Sequence, residues 1–190
     1  ASVVALAGGV FILPFFLFSP IAGQLADKYD KSDLIRIIKI AELVIMILAA
    51  LGFLLDSVLL LMFILFLMGS QSTFFGPIKF GAIPQVVSKG DLTKGNALVE
   101  IGTFLAILFG TILGGLTASS SFVEALVSVE IIGLALAGVF FSYRIKSIAS
   151  SAPELVVCWN PIPALRDMYR LSSEKAAVKN SILGISWFWF

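Results

Sequence analysis

The chain has 190 residues, 59% of them hydrophobic and 13% charged, with a formal net charge of +1, and its mean hydropathy is +1.05. Soluble domains are roughly half apolar and a quarter charged, so this composition excludes a water-soluble enzyme and points to lipid as the solvent. The lack of histidine removes imidazole metal sites and Ser-His triads, the single Cys158 leaves no internal disulfide or cysteine cluster, and the small net charge gives no basic surface for nucleic acid.

Apolar runs cover Ser2 to Ala22, Leu34 to Leu55, Val58 to Ile78, Ala97 to Ala118 and Phe122 to Tyr143. Each is near the ~20 residues a helix needs to cross a bilayer core, and backbone in lipid must pair within its own segment, so helices are expected. They are placed at about 2–22, 34–55, 57–80, 95–118 and 122–144, five complete transmembrane helices within residues 1–144. Residues 145–175 read as a cytoplasmic linker. It carries Pro153, Pro161 and Pro163, then Ala164 to Lys175, with Leu165, Met168 and Tyr169 on one helical face and Arg166, Asp167 and Arg170 elsewhere. That pattern predicts a short helix lying in the membrane interface. A further apolar run starts at Ala176 and reaches Phe190, so residues 176–190 read as the start of a sixth span. The chain begins in apolar sequence with no initiator Met or basic leader, and both ends are expected to be cut. The fold class is thus an all-α membrane protein.

All 13 Lys and Arg residues fall on or near alternate connections: Lys28, Lys31, Arg36 and Lys39; Lys79, Lys89 and Lys94; then Arg144, Lys146, Arg166, Arg170, Lys175 and Lys179. The connections around Asp56-Ser57 and Ala118 to Ser121 have none. The positive-inside rule makes the basic side cytoplasmic. The outer loops are too short for a catalytic domain, so function is expected between helices or at the cytoplasmic face.

Three segments carry candidate chemistry. Between the first two spans, Gly23-Gln24-Leu25-Ala26-Asp27-Lys28-Tyr29-Asp30-Lys31 must turn tightly; its plain reading is a polar turn of mixed charge. The third span closes in Gly76-Pro77-Ile78-Lys79, where the glycine-proline pair frees backbone groups as transporters allow beside a cavity. Lys79 puts a cation at that bend, and its plain alternative is a lysine snorkelling to the interface. The fourth span contains Gly110-x-x-x-Gly114, read as a helix-packing face. Glu42, Glu100 and Glu130 lie in or near apolar spans, where an ionised carboxylate is costly unless paired or hydrated. Each is a candidate for cavity lining or proton coupling. Glu42 has the local alternative of pairing with Lys39, and Glu100 of sitting at the cytoplasmic rim.

Gly23, Leu25, Ala26, Asp27, Lys28 and Lys31 resemble the G-x-L-A-D-R-x-G-R-K signature of the major facilitator superfamily. Asp30 stands where the signature has its second glycine, and Asp tolerates a left-handed backbone better than most residues; Ser32 replaces a basic residue. The resemblance implies a half-bundle of that fold, running from its second helix into its seventh, with a conformational-switch loop centred on Asp27 and including Gly23 and Lys31. The fourth span only faintly echoes the antiporter motif, lacking its Gly-Pro pair, and carries no antiport mechanism. Gly76-Pro77-Ile78-Lys79-Phe80-Gly81-Ala82-Ile83-Pro84, Gly95 to Glu100, Gly102 to Leu108 and Ile182 to Phe190 are similar to the bacterial lysophospholipid transporter family. The likeness is strongest to proteins in which that module is fused to an acyltransferase and acyl-acyl carrier protein synthetase.

That resemblance implies alternating-access movement of lysophospholipid across the bacterial inner membrane, with Lys79 at the head group and Glu100 as a second substrate-binding candidate. No cofactor is expected, and the lack of His and of a Cys cluster gives no metal site. The implied partners are membrane lipid, the first helix and C-terminal bundle of the same polypeptide, and an acyltransferase as fused domain or separate protein. Two alternatives stay open: a transporter of another amphiphile or drug, and the membrane module of a bifunctional acyltransferase. The absence of His leaves no His-x-x-x-x-Asp acyltransferase motif in these residues.

Overall fold

The computed structural model describes residues 2–189. Among them are seven α-helices and no strand: α1 (Ser2–Lys28), α2 (Lys31–Leu54), α3 (Val58–Val86), α4 (Leu92–Ala118), α5 (Val123–Ser142), α6 (Pro161–Glu174) and α7 (Ala176–Trp189), with a 3₁₀ turn, Lys89–Asp91, before α4. The first five helices are long and apolar enough to cross a membrane. Phe190 lies outside the described residues, as does the side chain of Met168.

The helices overrun the apolar segments at the basic end. α1 and α3 continue six residues past the expected boundaries at 22 and 80, to Lys28 and Val86, because Ala26, Ala82 and Ile83 still find packing partners there. The turn before α2 is correspondingly short. Gly23 to Lys28 belong to α1, and Asp30 caps α2, its carboxylate accepting from the Ser32 and Asp33 N–H groups. The left-handed conformation considered for Asp30 does not occur: its φ is −58° and its ψ 124°, the extended geometry of an N-cap. Asp56, in the short turn between α2 and α3, has the one positive φ among the described residues, 47°. The linker helix starts at Pro161, behind an Asn160 side chain that accepts from the Ile162 N–H, and not at Ala164.

Packing pairs α1 with α3, and α2 with α5 and α3, so sequence neighbours α1 and α2 barely touch. The α1–α3 contact is close because Gly69 has no side chain: a Cβ there would stand 2.2 Å from the Phe11 carbonyl oxygen. Pro14, buried, fills the adjacent space, and Phe18 stacks on Phe74 and meets Phe66 edge-on. Two apolar clusters follow. One, at the basic end, joins Ala26, Ile35, Ile38 and Ile78; the other joins Ile45, Ala49 and Ile64. α4 stands apart, with Thr117 its one buried residue among those described, and the Gly110 and Gly114 face meets nothing within 4 Å. Exposed Phe and Leu on such a helix are at no disadvantage in lipid, which is as apolar as they are.

Candidate functional site

Lys79 lies seven residues from the end of α3, with Phe75 and Ala82 on the same face. That face meets Ile35 and Lys39 of α2, Gly138, Phe141 and Ser142 of α5, and Ile145 and Ile148 just beyond α5, around a cavity of about 380 Å³. Lys79 is half-buried, with Nζ 4.6 Å from the Phe80 ring centroid, and no hydrogen-bond or ion-pair partner for it is found among the described residues. α3 runs through Pro77 and Pro84 without interruption. Neither has an N–H to give the carbonyl four residues earlier, so the helical ladder lacks a rung on each side of Lys79.

A polar cluster adjoins this cavity. Lys39 Nζ donates to Glu42 at 2.7 Å, the local pairing anticipated from the sequence, and the Gln71 amide of α3 donates to the same carboxylate oxygen at 3.0 Å. Lys39 Nζ also stands 4.9 Å from the Phe75 ring centroid. Glu42 therefore ties α2 to α3. Glu100, half-buried on α4, is not among the residues lining the Lys79 cavity, so the two substrate-binding candidates are not brought together. Glu130 of α5 accepts from the buried Thr117 hydroxyl of α4 at 2.7 Å, a tether between neighbouring helices.

Two of the three switch-loop candidates, Asp27 and Lys31, meet the segment after α5. The Asp27 carbonyl accepts from the N–H groups of Ser151 and Ala152 at 2.9 and 2.8 Å, while its side chain is exposed. Lys31 is 1% exposed: its stem passes Gly81 of α3, its Nζ donates to Ser151 Oγ at 2.8 Å and its N–H to the Ile148 carbonyl at 3.0 Å. Gly23 sits inside α1 with open space beside it.

Asp30, which the sequence reading passed over as a flaw in the signature, does more than Asp27. Its carboxylate accepts from the Ser147 and Ser32 hydroxyls, each at 2.6 Å, and from the Ile148 N–H at 3.4 Å. The Ser147 hydrogen bond first, and those from Ser32 after it, hold the carboxyl far below the usual carboxylate range. Its N-cap position, ahead of a helical run with Asp33 in the first turn, was the signal available in the sequence. Arg36 extends the tie by donating to the Ile145 carbonyl at 3.1 Å, and the Gln24 side chain accepts from the Cys158 N–H at 2.7 Å. Residues 145–158 thus form a strap across the basic end, and two of them, Ile145 and Ile148, are also walls of the Lys79 cavity.

Comparison with known proteins agrees with this architecture. The chain is similar to proteins named Lysophospholipid transporter LplT. The one from Photorhabdus laumondii is 28% identical over 185 residues, covering 95% of this chain and 44% of the relative. That of Escherichia coli O1:K1 is 27% identical over 191 residues, covering 95% and 44%, and that of Yersinia pestis strain Pestoides F is 25% identical over 186 residues, covering 94% and 42%. The chain therefore spans less than half the length of these curated relatives. The family model of the Major Facilitator Superfamily matches residues 1–159, all five long apolar helices and the strap, and this multi-pass membrane chain belongs to that superfamily.

Proposed function

We propose that this chain is part of a secondary transporter that moves lysophospholipid across the bacterial inner membrane by alternating access, with its basic loops on the cytoplasmic side. The observation that carries the reading is Lys79: a half-buried cation with no counter-charge among the described residues, on a continuous helix that lacks a ladder hydrogen bond at Pro77 and at Pro84, at a cavity otherwise walled by Phe75, Phe141, Ile145 and Ile148. An intramembrane lysine is costly and is retained where it meets a ligand or a water-filled path. A lysophospholipid supplies both halves of the complement, a phosphate for the ammonium and a single acyl chain for the apolar wall. The names of the similar proteins favour the same substrate. In this reading a first helix and a C-terminal bundle complete the path, and an acyltransferase, fused or separate, uses the delivered lipid. The strap and the Asp30–Lys31 turn serve as the cytoplasmic latch.

The test is uptake of labelled lysophosphatidylethanolamine into spheroplasts expressing the full-length protein that contains this chain, with and without Lys79→Ala at equal membrane abundance. Saturable uptake that falls about tenfold or more in the variant is expected, in keeping with a hydrogen bond to a charged group. Uptake untouched by the substitution would return Lys79 to an interfacial anchor. No uptake by the unsubstituted protein would move the reading to another amphiphile on the same fold.

A further inference from the structure

We propose that Lys39 is the second cation of the Lys79 site, a head-group-binding residue held ready by Glu42, Gln71 and a slot at Gly138. The inference deepens the lysophospholipid reading and rests on it for the identity of the ligand; the geometry that singles out Lys39 is independent of it.

Depth comes first. Lys39 lies eight residues inside α2 and Lys79 seven from the end of α3, so at a rise of 1.5 Å per residue both sit about 10–12 Å inside the helix ends. Both line the same cavity. A lysine at that depth ordinarily snorkels outward along its own helix. Lys39 instead crosses toward α5, where a Cβ on Gly138 would stand 3.3 Å from its Cδ and 3.6 Å from its Nζ. An Ala at 138 would press the Lys39 stem by a few tenths of an ångström, and a branched residue would press it further.

Donor capacity comes next. An ammonium group carries three N–H donors and no acceptor. Glu42 takes one from Lys39 and is itself shared with Gln71, so Lys39 keeps donors for the cavity; Lys79 gives none to the described residues. Two ammonium groups and one carboxylate leave a surplus of one positive charge, which matches the single negative charge of a phosphodiester. The charge balance calls for a monoanionic group, which the lysophospholipid reading identifies as the phosphate ester, with Glu42 fixing where Lys39 can reach rather than cancelling the site.

The experiment measures KM for lysophosphatidylethanolamine uptake by the full-length protein, with monoacylglycerol and glycerophosphoethanolamine as competitors lacking the phosphate and the tail. Lys39→Met and the double variant Lys39→Met/Glu42→Gln are compared, the double variant removing the pair without stranding a carboxylate. A KM raised about tenfold in both, with monoacylglycerol competition unchanged, is expected for a lost charged hydrogen bond. Recovery of KM in the double variant would mean that Lys39 serves only to neutralise Glu42, and would overturn the proposal. Equal weakening toward monoacylglycerol would make it a packing residue, with the same result. If the Lys39 variants do not reach the membrane, Gly138→Val, which keeps every charge and adds methyl groups across the Lys39 stem, decides: a raised KM with monoacylglycerol competition unchanged upholds the proposal, and an unchanged KM or equal weakening toward monoacylglycerol overturns it. Uptake that responds to Lys79→Ala but not to Lys39→Met removes this inference alone, whereas no uptake by the unsubstituted protein removes the transport reading with it. Competition by glycerophosphoethanolamine as strong as by the lysolipid keeps Lys39 as a phosphate residue and makes the ligand a soluble phosphoester.

Discussion

Replacing Gly69 by Ala tests the tightest of the glycine contacts between helices among the described residues. The new Cβ would stand 2.2 Å from the Phe11 carbonyl oxygen, 3.1 Å from its carbon and 3.2 Å from Pro14 Cγ. An ordinary carbon–oxygen contact needs roughly 3.3 Å, so α1 must retreat by about 1 Å, and backbone cannot swing aside as a side chain does. Overpacking of this kind costs about 1–3 kcal/mol, partly offset by the ~0.5–1 kcal/mol that Ala gains over Gly in a helix. Because the obstruction is a carbonyl within a helix, the upper end applies, and a net loss of about 2 kcal/mol follows. At about 2–4 °C per kcal/mol for a domain of this size, Tm should fall by roughly 4–8 °C. Gly52→Ala is the matched control. Its Cβ would meet Leu61 Cδ2 at 2.9 Å, the movable end of a side chain, and the change should stay within about 1 kcal/mol of zero. Thermal unfolding of both variants in detergent, followed by loss of monodisperse protein, distinguishes the cases. Equal melting of the two would refute the view that backbone contact at Gly69 sets the α1–α3 distance.

Asp30→Asn should loosen the strap, raising amide exchange at residues 147–152 by roughly threefold to tenfold, the modest range of exposed charge-assisted hydrogen bonds. The folded pKa of Asp30 lies below its ordinary 3.8, so its contribution is fully present above that value and is lost only as pH falls through the lower one. Exchange in the parent protein, corrected for intrinsic rates, should accordingly be flat from about pH 5 to 8, well above the carboxylate range. A step inside that window would assign the tie to another group. Thr117→Val should cost about 1–3 kcal/mol by leaving the Glu130 carboxylate without its donor, and Glu130→Gln distinctly less, since an amide oxygen still accepts from Thr117. Parallel unfolding of the two variants checks the order, and a silent Thr117→Val would return Glu130 to the candidates for proton coupling.

The helices were legible because lipid imposes one rule on the backbone, and Lys79 could be singled out as a candidate because it is a charge beside Gly-Pro in an apolar run, which the structure places at a cavity. Helix ends were less so. Whether α1 stops at Ala22 or Lys28 depends on what packs against Ala26, and Ile35, Ile38 and Ile78 come from other helices. The Lys39–Glu42 pair could be read three residues apart, but the third member, Gln71, and the slot at Gly138 lie on α3 and α5. Asp30 was hidden by comparison itself. Measured against a signature it was a missing glycine, whereas measured as chemistry it was an N-cap with acceptor oxygens to spare, whose Ser147 partner lies 117 residues further on. Glu100 shows the converse, a carboxylate conspicuous in sequence that the fold leaves away from the Lys79 cavity.

The strap and the Lys79 cavity share residues. Ile145 and Ile148 wall the space beside Lys79, and their carbonyls take the Arg36 guanidinium and the Lys31 N–H. Ser147, between them, holds Asp30. A strap anchored at three successive points does not yield at one of them alone, and packed elements change between discrete arrangements rather than by gradual deformation. In the proposed transport cycle, a motion that lifts the strap away from Lys31 would carry Ile148 off the cavity wall. In the same proposed cycle, a ligand held between Lys39, Lys79 and Ile148 would favour the latched arrangement by as much as it prefers that wall intact.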